Sequence, residues 1–141
     1  MLSFIDTAVI AYSRYQAPQQ PACEQIMTWV AQGRLPAATS VLVLEETWHL
    51  EHRGRPPLPA GTAMRAAELF PLVIDLRRDH LRAAMAMEPS GLGPADRLHV
   101  AVATEVGCEA IITTDRAFDE CDRLRRIDPL DEDLVRALLK H

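Results

Sequence analysis

The sequence predicts an α/β fold, with a mostly parallel sheet covered by helices on both faces. Three observations carry this reading. Short apolar runs alternate along the chain with stretches of helical spacing, and the runs are too uniformly apolar to leave one face in water. The 141 residues suit a single domain, here taken as residues 1–141, and are enough to bury a real core. Acidic residues stand just past several of the apolar runs, at the carboxyl ends where open α/β sheets place their functional crevice.

Each element has its own justification. Leu2 to Ile5 is a short apolar strand broken by Asp6-Thr7, and a helix follows from Ala8 to Tyr12. Gln16 to Pro21 is a loop. Pro21 suits a first helical turn, and Ile26, Trp29 and Val30 keep helical spacing up to Gly33. Leu35 to Thr39 reads as a strand, after which Ser40 caps a helix running to about His52. The segment RGRPPLPAG, Arg53 to Gly61, is irregular because prolines and glycines interrupt it. Thr62 to Phe70 is a helix, Leu72 to Leu76 a strand, and Asp79 to Met87 a helix closed by Pro89, Gly91 and Gly93. Pro94 opens a helix in which Ala95, Leu98, Val102 and Val106 keep the apolar period until Gly107. Ala110 to Thr113 is the next strand, Arg125 to Asp128 a last short one, and Asp131 to Leu139 a final helix.

Composition narrows the class. With 48% hydrophobic and 25% charged residues, the chain is that of an ordinary globular protein. No apolar run approaches the roughly 18–20 residues of a membrane helix, and the N-terminus lacks signal-peptide features. The expected compartment is therefore the cytoplasm, with no membrane partner. Cys23, Cys108 and Cys121 have no metal-ligand spacing and read as reduced core fillers. A net charge of −5 argues against a blanket of positive charge for nucleic acid. Every basic residue except Lys140 is arginine, which suits phosphate recognition but also fits a genome's base composition.

The acids carry the chemistry. Asp6 follows the first strand, Asp96 lies in a first helical turn, and Asp115 and Asp119 follow the strand Ala110–Thr113. If Arg116 starts a helical turn, Asp115 and Asp119 share a face, where like charges repel unless a cation is bound. A hard cation, Mg²⁺ or Mn²⁺, resolves that conflict. Singly, each acid has a plainer role: Asp96 complements the helix dipole, Asp6 caps a helix, and Asp119 belongs to a surface run with Glu120 and Asp122. Glu45 and Glu46 can both be solvated. Joint placement at strand ends and helix starts favours a shared site. His49 lies one turn past Glu46, while His52, His80 and His99 look dispersed and His141 is terminal. No Gly-rich phosphate loop is present.

The segments FIDTAVIAY, TSVLVLEETWH, GPADRLHVAVATEVGCEAIITTDRAFD and RRIDP resemble the PIN-domain family, in particular its small VapC-type toxin ribonucleases. The resemblance spans nearly the whole chain with the motifs in family order. It implies a three-layer α/β/α fold and acids that bind Mg²⁺ or Mn²⁺ for phosphodiester cleavage. Carried over, it assigns catalytic and metal-binding roles to Asp6, Glu46, Asp96, Asp115 and Asp119, with Glu45 as the alternative to Glu46 because adjacent helical residues point about 100° apart. Ala8 departs from the family, where Asn or Ser often follows Asp-Thr. Thr113 is either a site hydrogen-bonder or a β-branched strand residue. Arg97 and Arg116 either pair with the neighbouring acids or touch RNA backbone.

The implied function is metal-assisted endoribonuclease activity, as the toxin half of a toxin–antitoxin pair, with RNA as substrate, a protein antitoxin as partner and a homodimeric state. The competing class is a non-catalytic RNA-binding or regulatory module on the same fold. A phosphotransfer domain is disfavoured, since a second acid close to Asp6 and a lysine partner are both missing.

Overall fold

A computed structural model describes residues 1–88 and 91–141 of the chain. Three strands form its centre: β1 (Ser3–Ile5), β2 (Ala37–Ser40) and β4 (Ala110–Ile112), each buried along its whole length. β3 (Val73–Ile74) and β5 (Arg125–Ile127) close the two edges, giving the order β3-β2-β1-β4-β5 with parallel pairings. Burial on both faces explains why these strands read as continuous apolar runs rather than alternating ones.

The order dictates the layers. From β1 the chain moves outward to β2 and β3, then returns past β1 to β4 and β5. Parallel crossovers are right-handed, so reversing the direction of travel sends the connecting helices to the opposite face. Accordingly α1 (Thr7–Tyr12), α2 (Gln20–Ala31), α3 (Val41–Arg53) and α4 (Thr62–Leu69) pack among themselves, and α5 (Arg78–Met85) packs with α6 (Pro94–Glu105). The result is the expected α/β/α sandwich. Phe4, Ile5, Ile111, Ile112 and Ile127 fill its middle at 2% exposure or less, each contributing roughly 1.5–3 kcal/mol by burial.

Local signals set several boundaries. The Ser40 hydroxyl accepts the Val43 N–H at 3.2 Å, which is the expected cap on α3. Gly54 and Gly107, at φ of 75° and 85°, take the left-handed turns that follow α3 and α6. Three elements differ from expectation. β3 keeps only Val73–Ile74, because it is an edge strand following Pro71, with Leu72 and Leu76 turned partly to solvent. The final helix, α7 (Glu132–Arg136), stops early: Leu138 and Leu139 make tighter i−3 bonds, and the Lys140 N–H docks on the Arg34 carbonyl at 2.7 Å. The turn after Asp115 is a 3-10 helix, Arg116–Glu120, rather than an α-helical turn. Pro89, expected to close α5, lies outside the described residues. Cys23 and Cys108 are buried and all three cysteines are free.

Candidate metal centre

β1 is flanked by β2 on one side and β4 on the other, so the crevice beyond its carboxyl end is the reversal point of the sheet. Asp6 is the first residue past β1 and is 8% exposed. Its Oδ2 accepts the Thr113 hydroxyl at 2.7 Å. The same Thr113 oxygen accepts the Asp115 N–H at 3.1 Å, so one side chain past β4 fixes both an acid and the backbone of another. Asp115 also caps the 3-10 turn, accepting the Ala117 N–H at 3.0 Å.

The other side of the crevice comes from two helices. Glu46, on α3, accepts the Thr7 hydroxyl at 2.7 Å, and its Oε1 lies 3.0 Å from Nε2 of His99 on α6. His99 is 1% exposed, and its Nε2 lies 3.9 Å from Asp6 Oδ1. Asp96 sits three residues before His99, which places both on one face of α6. Asp6, Glu46, Asp96, His99 and Asp115 border one open cavity of about 590 Å³.

The charges are unequally balanced. Burial pushes the Asp6 carboxyl above its ordinary 3.8, and His99 and Thr113 only partly oppose it. Asp96 is pushed up by burial and then by the Asp115 charge. Burial would raise Glu46 as well, but the His99 hydrogen bond and charge and the Thr7 hydroxyl outweigh it and bring Glu46 below 4.5. Burial would lower His99, yet Glu46 and the charges of Asp6 and Asp96 hold it above 6.5. One imidazole thus faces these carboxylates and hydrogen-bonds Glu46 alone among them, while Asp6 and Asp96 keep raised values. An oxygen-rich donor set with excess negative charge fits a hard divalent cation such as Mg²⁺ or Mn²⁺. Asp6, Glu46 and His99 each offer a ligand atom within 4.8 Å of the others.

Of the sequence-derived candidates, the structure brings Asp6, Glu46, Asp96 and Asp115 together. It does not bring Asp119. Asp115 is the extended N-cap of a 3-10 helix, so the i, i+4 face of an α-helix is not formed, and Asp119 does not line the cavity that Asp115 borders. Its carboxylate is exposed and pairs with Arg126, Nε to Oδ1 at 2.7 Å. Glu45 is exposed on the cavity rim while Glu46 points to Thr7 and His99. Ala8 lines the cavity without a polar group, and His49 lines it from an exposed position. Thr113 is a site hydrogen-bonder. Arg97 donates to the Leu92 carbonyl at 3.0 Å, and among the described residues neither Arg97 nor Arg116 pairs with a site acid.

His99 is the site residue that the sequence reading missed. The signal was present: it stands three residues after Asp96 and so shares its helix face.

Comparison with known proteins agrees with this architecture. The PIN domain profile matches residues 3–124. Among solved structures, the Mycobacterium tuberculosis toxin VapC20, described as cleaving the sarcin–ricin loop, superposes with a TM-score of 0.64 at 20% identity, covering 83% of this chain and 92% of that one. VapBC2 of Rickettsia felis, bound to promoter DNA, gives a TM-score of 0.59 at 16% identity, covering 91% and 98%. VapBC-1 of nontypeable Haemophilus influenzae gives 0.57 at 16%, covering 92% and 98%. At such identities these likenesses speak for the fold. A protein of Pseudoalteromonas atlantica named 2-dehydro-3-deoxy-L-galactonate 5-dehydrogenase is 28% identical over 124 residues, or 82% of this chain. The chain spans only about a third (36%) of that protein's length.

Proposed function

Because this chain belongs to the PIN-domain family, we propose that it is a metal-dependent endoribonuclease, the toxin of a toxin–antitoxin pair. The observation that carries the reading is the convergence of Asp6, Glu46, Asp96 and Asp115 on one cavity at the reversal point of the sheet, with Asp6 and Asp96 short of counter-charge.

In this reading the four acids hold Mg²⁺ or Mn²⁺. Such an ion polarises a phosphoryl oxygen and lowers the pKa of a bound water, so no covalent protein nucleophile is needed. The chain's own residues supply the geometry. Thr113 fixes Asp6 and the Asp115 backbone, Thr7 fixes Glu46, and His99 holds the Glu46 carboxylate ionised. Second-layer groups of this kind are worth about 10–100-fold in metal affinity. The cavity opens to solvent, as an RNA strand requires. An antitoxin partner is supported by structural relatives described as VapBC complexes, and we place the protein in the cytoplasm as a homodimer.

The test is RNA cleavage by the wild type and Asp96→Asn with Mg²⁺ or Mn²⁺. Cleavage by the wild type alone is expected, and equal cleavage by both proteins would sink the assignment. A second reading, a non-catalytic RNA-binding module, is favoured by one observation: an imidazole, His99, already sits against Glu46 and Asp6 inside the cluster. RNA binding that ignores both metal and the loss of the acids would bring it forward.

A further inference from the structure

Arg126 and Asp119 lie beside the acid cavity rather than in it, yet they join it through Thr113. The Thr113 backbone N–H donates to the Ile127 carbonyl at 3.2 Å, and its carbonyl accepts Arg126 Nη1 at 3.1 Å. Its hydroxyl donates to Asp6 and accepts from the Asp115 N–H. Every polar atom of Thr113 is thereby engaged. Arg126, with a side chain only 12% exposed, contacts Asp119 through Nε at 2.7 Å and Nη2 at 3.5 Å, and Asp128 through Nη1 at 3.1 Å. A planar guanidinium held by two carboxylates and a carbonyl is a rigid fork, which a lysine cannot reproduce.

We propose that Arg126 is the positioning residue of the metal centre, and that Asp119 acts on the site only as a counter-ion that aims Arg126 at the Thr113 carbonyl. The inference rests on the nuclease reading for its functional meaning. Asp119 then belongs to the frame that sets the distance between Asp6 and Asp115, and is not a metal ligand. The geometry makes the two carboxylates on Arg126 unequal to the site acids: Asp119 and Asp128 share one guanidinium, whereas among the described residues no arginine pairs with Asp6 or Asp96.

The experiment combines Mn²⁺ titration, followed by electron paramagnetic resonance, with amide hydrogen exchange in the metal-free protein. It uses Asp119→Asn, Arg126→Gln, the double variant, Arg126→Lys and Asp115→Asn. Arg126→Gln should weaken Mn²⁺ about 10–100-fold. Asp119→Asn should weaken it by less, because Asp128 still holds Nη1, and the double variant should be no weaker than Arg126→Gln alone. Arg126→Lys should not restore affinity, and in the metal-free protein Arg126→Gln should speed exchange of the Asp115 amide while the Val102 amide is unchanged. A loss in Asp119→Asn equal to that in Asp115→Asn, and additive with Arg126→Gln, overturns the proposal and makes Asp119 a ligand. Unchanged affinity and unchanged Asp115 exchange in Arg126→Gln overturn it too. If the wild type neither binds Mn²⁺ nor cleaves RNA, the nuclease reading fails, and exchange of the Asp115 amide alone decides whether the brace exists.

Discussion

The two walls of the acid cavity are built on opposite plans. On the wall made by α3 and α6, Glu46 and His99 are drawn together at 3.0 Å, and the histidine is 1% exposed. On the wall beyond β4, Asp115 stands exposed; its carboxylate accepts the Ala117 N–H, its own N–H donates to the Thr113 hydroxyl, and the Asp119–Arg126 ion pair lies outside the cavity lining. Asp6 lies between them and is buried. The first wall gives one of its acids, Glu46, an imidazole partner; on the second, among the described residues, Asp115 pairs with no basic side chain. The difference teaches that acids gathered in one site are not equivalent: what matters is which of them the fold has already given a partner.

The sharpest way to break this comparison is to remove acids from the uncompensated part. Asp6→Asn should lower metal-dependent RNA cleavage by on the order of 100-fold or more, since removing even a supporting group costs 10–100-fold. The same change should leave the metal-free protein no less stable at pH 7, because it deletes a buried charge that already resists ionisation. A lower melting temperature for Asp6→Asn would contradict the electrostatic account.

Thr113→Val tests the link between the walls. It removes the hydroxyl that serves Asp6 and the Asp115 N–H, and should cost about 1–3 kcal/mol in denaturant unfolding by leaving buried polar groups unmatched. A loss below the error of the measurement would mean that the two walls are independent.

The pH dependence of the metal-free protein sharpens the contrast further. Asp6 and Asp96 have raised folded values, so their contribution is present below 3.8 and is lost as pH rises through those values. His99 is raised as well, so its contribution is present below 6.5 and is lost as pH rises through its folded value. Glu46 is lowered, so its contribution is present above 4.5 and is lost as pH falls through its folded value. Melting curves should therefore show destabilisation just above the ordinary carboxylate range and again on the alkaline side of 6.5. Mg²⁺ should remove the first step; a first step insensitive to Mg²⁺ would dissociate it from the site acids.

The smallest effect belongs to Asp119. Its side chain is 53% exposed, and an ion pair of that kind contributes about 0–1 kcal/mol. Asp119→Asn should barely move the denaturation midpoint. A shift above that range would show that the Arg126 fork bears on global stability as well as on the site.

The sequence by itself determined the alternation of strands and helices, the buried parallel sheet, the cap at Ser40 and the stop at Gly107, because these follow from short-range periodicity and backbone sterics. It also placed Asp6 and Asp115 at strand ends, since a strand end is a local event. Tertiary structure decided the rest. The bond from Thr113 to Asp6 spans 107 positions and that from His99 to Glu46 spans 53, distances at which no periodicity operates. A tighter helical turn withdrew Asp119 from Asp115, and the reversal of the sheet about β1 placed His99 between two carboxylates. Local propensity fixes where an acid stands along the chain; only packing fixes which charges face it, and burial then decides whether that charge is left uncompensated.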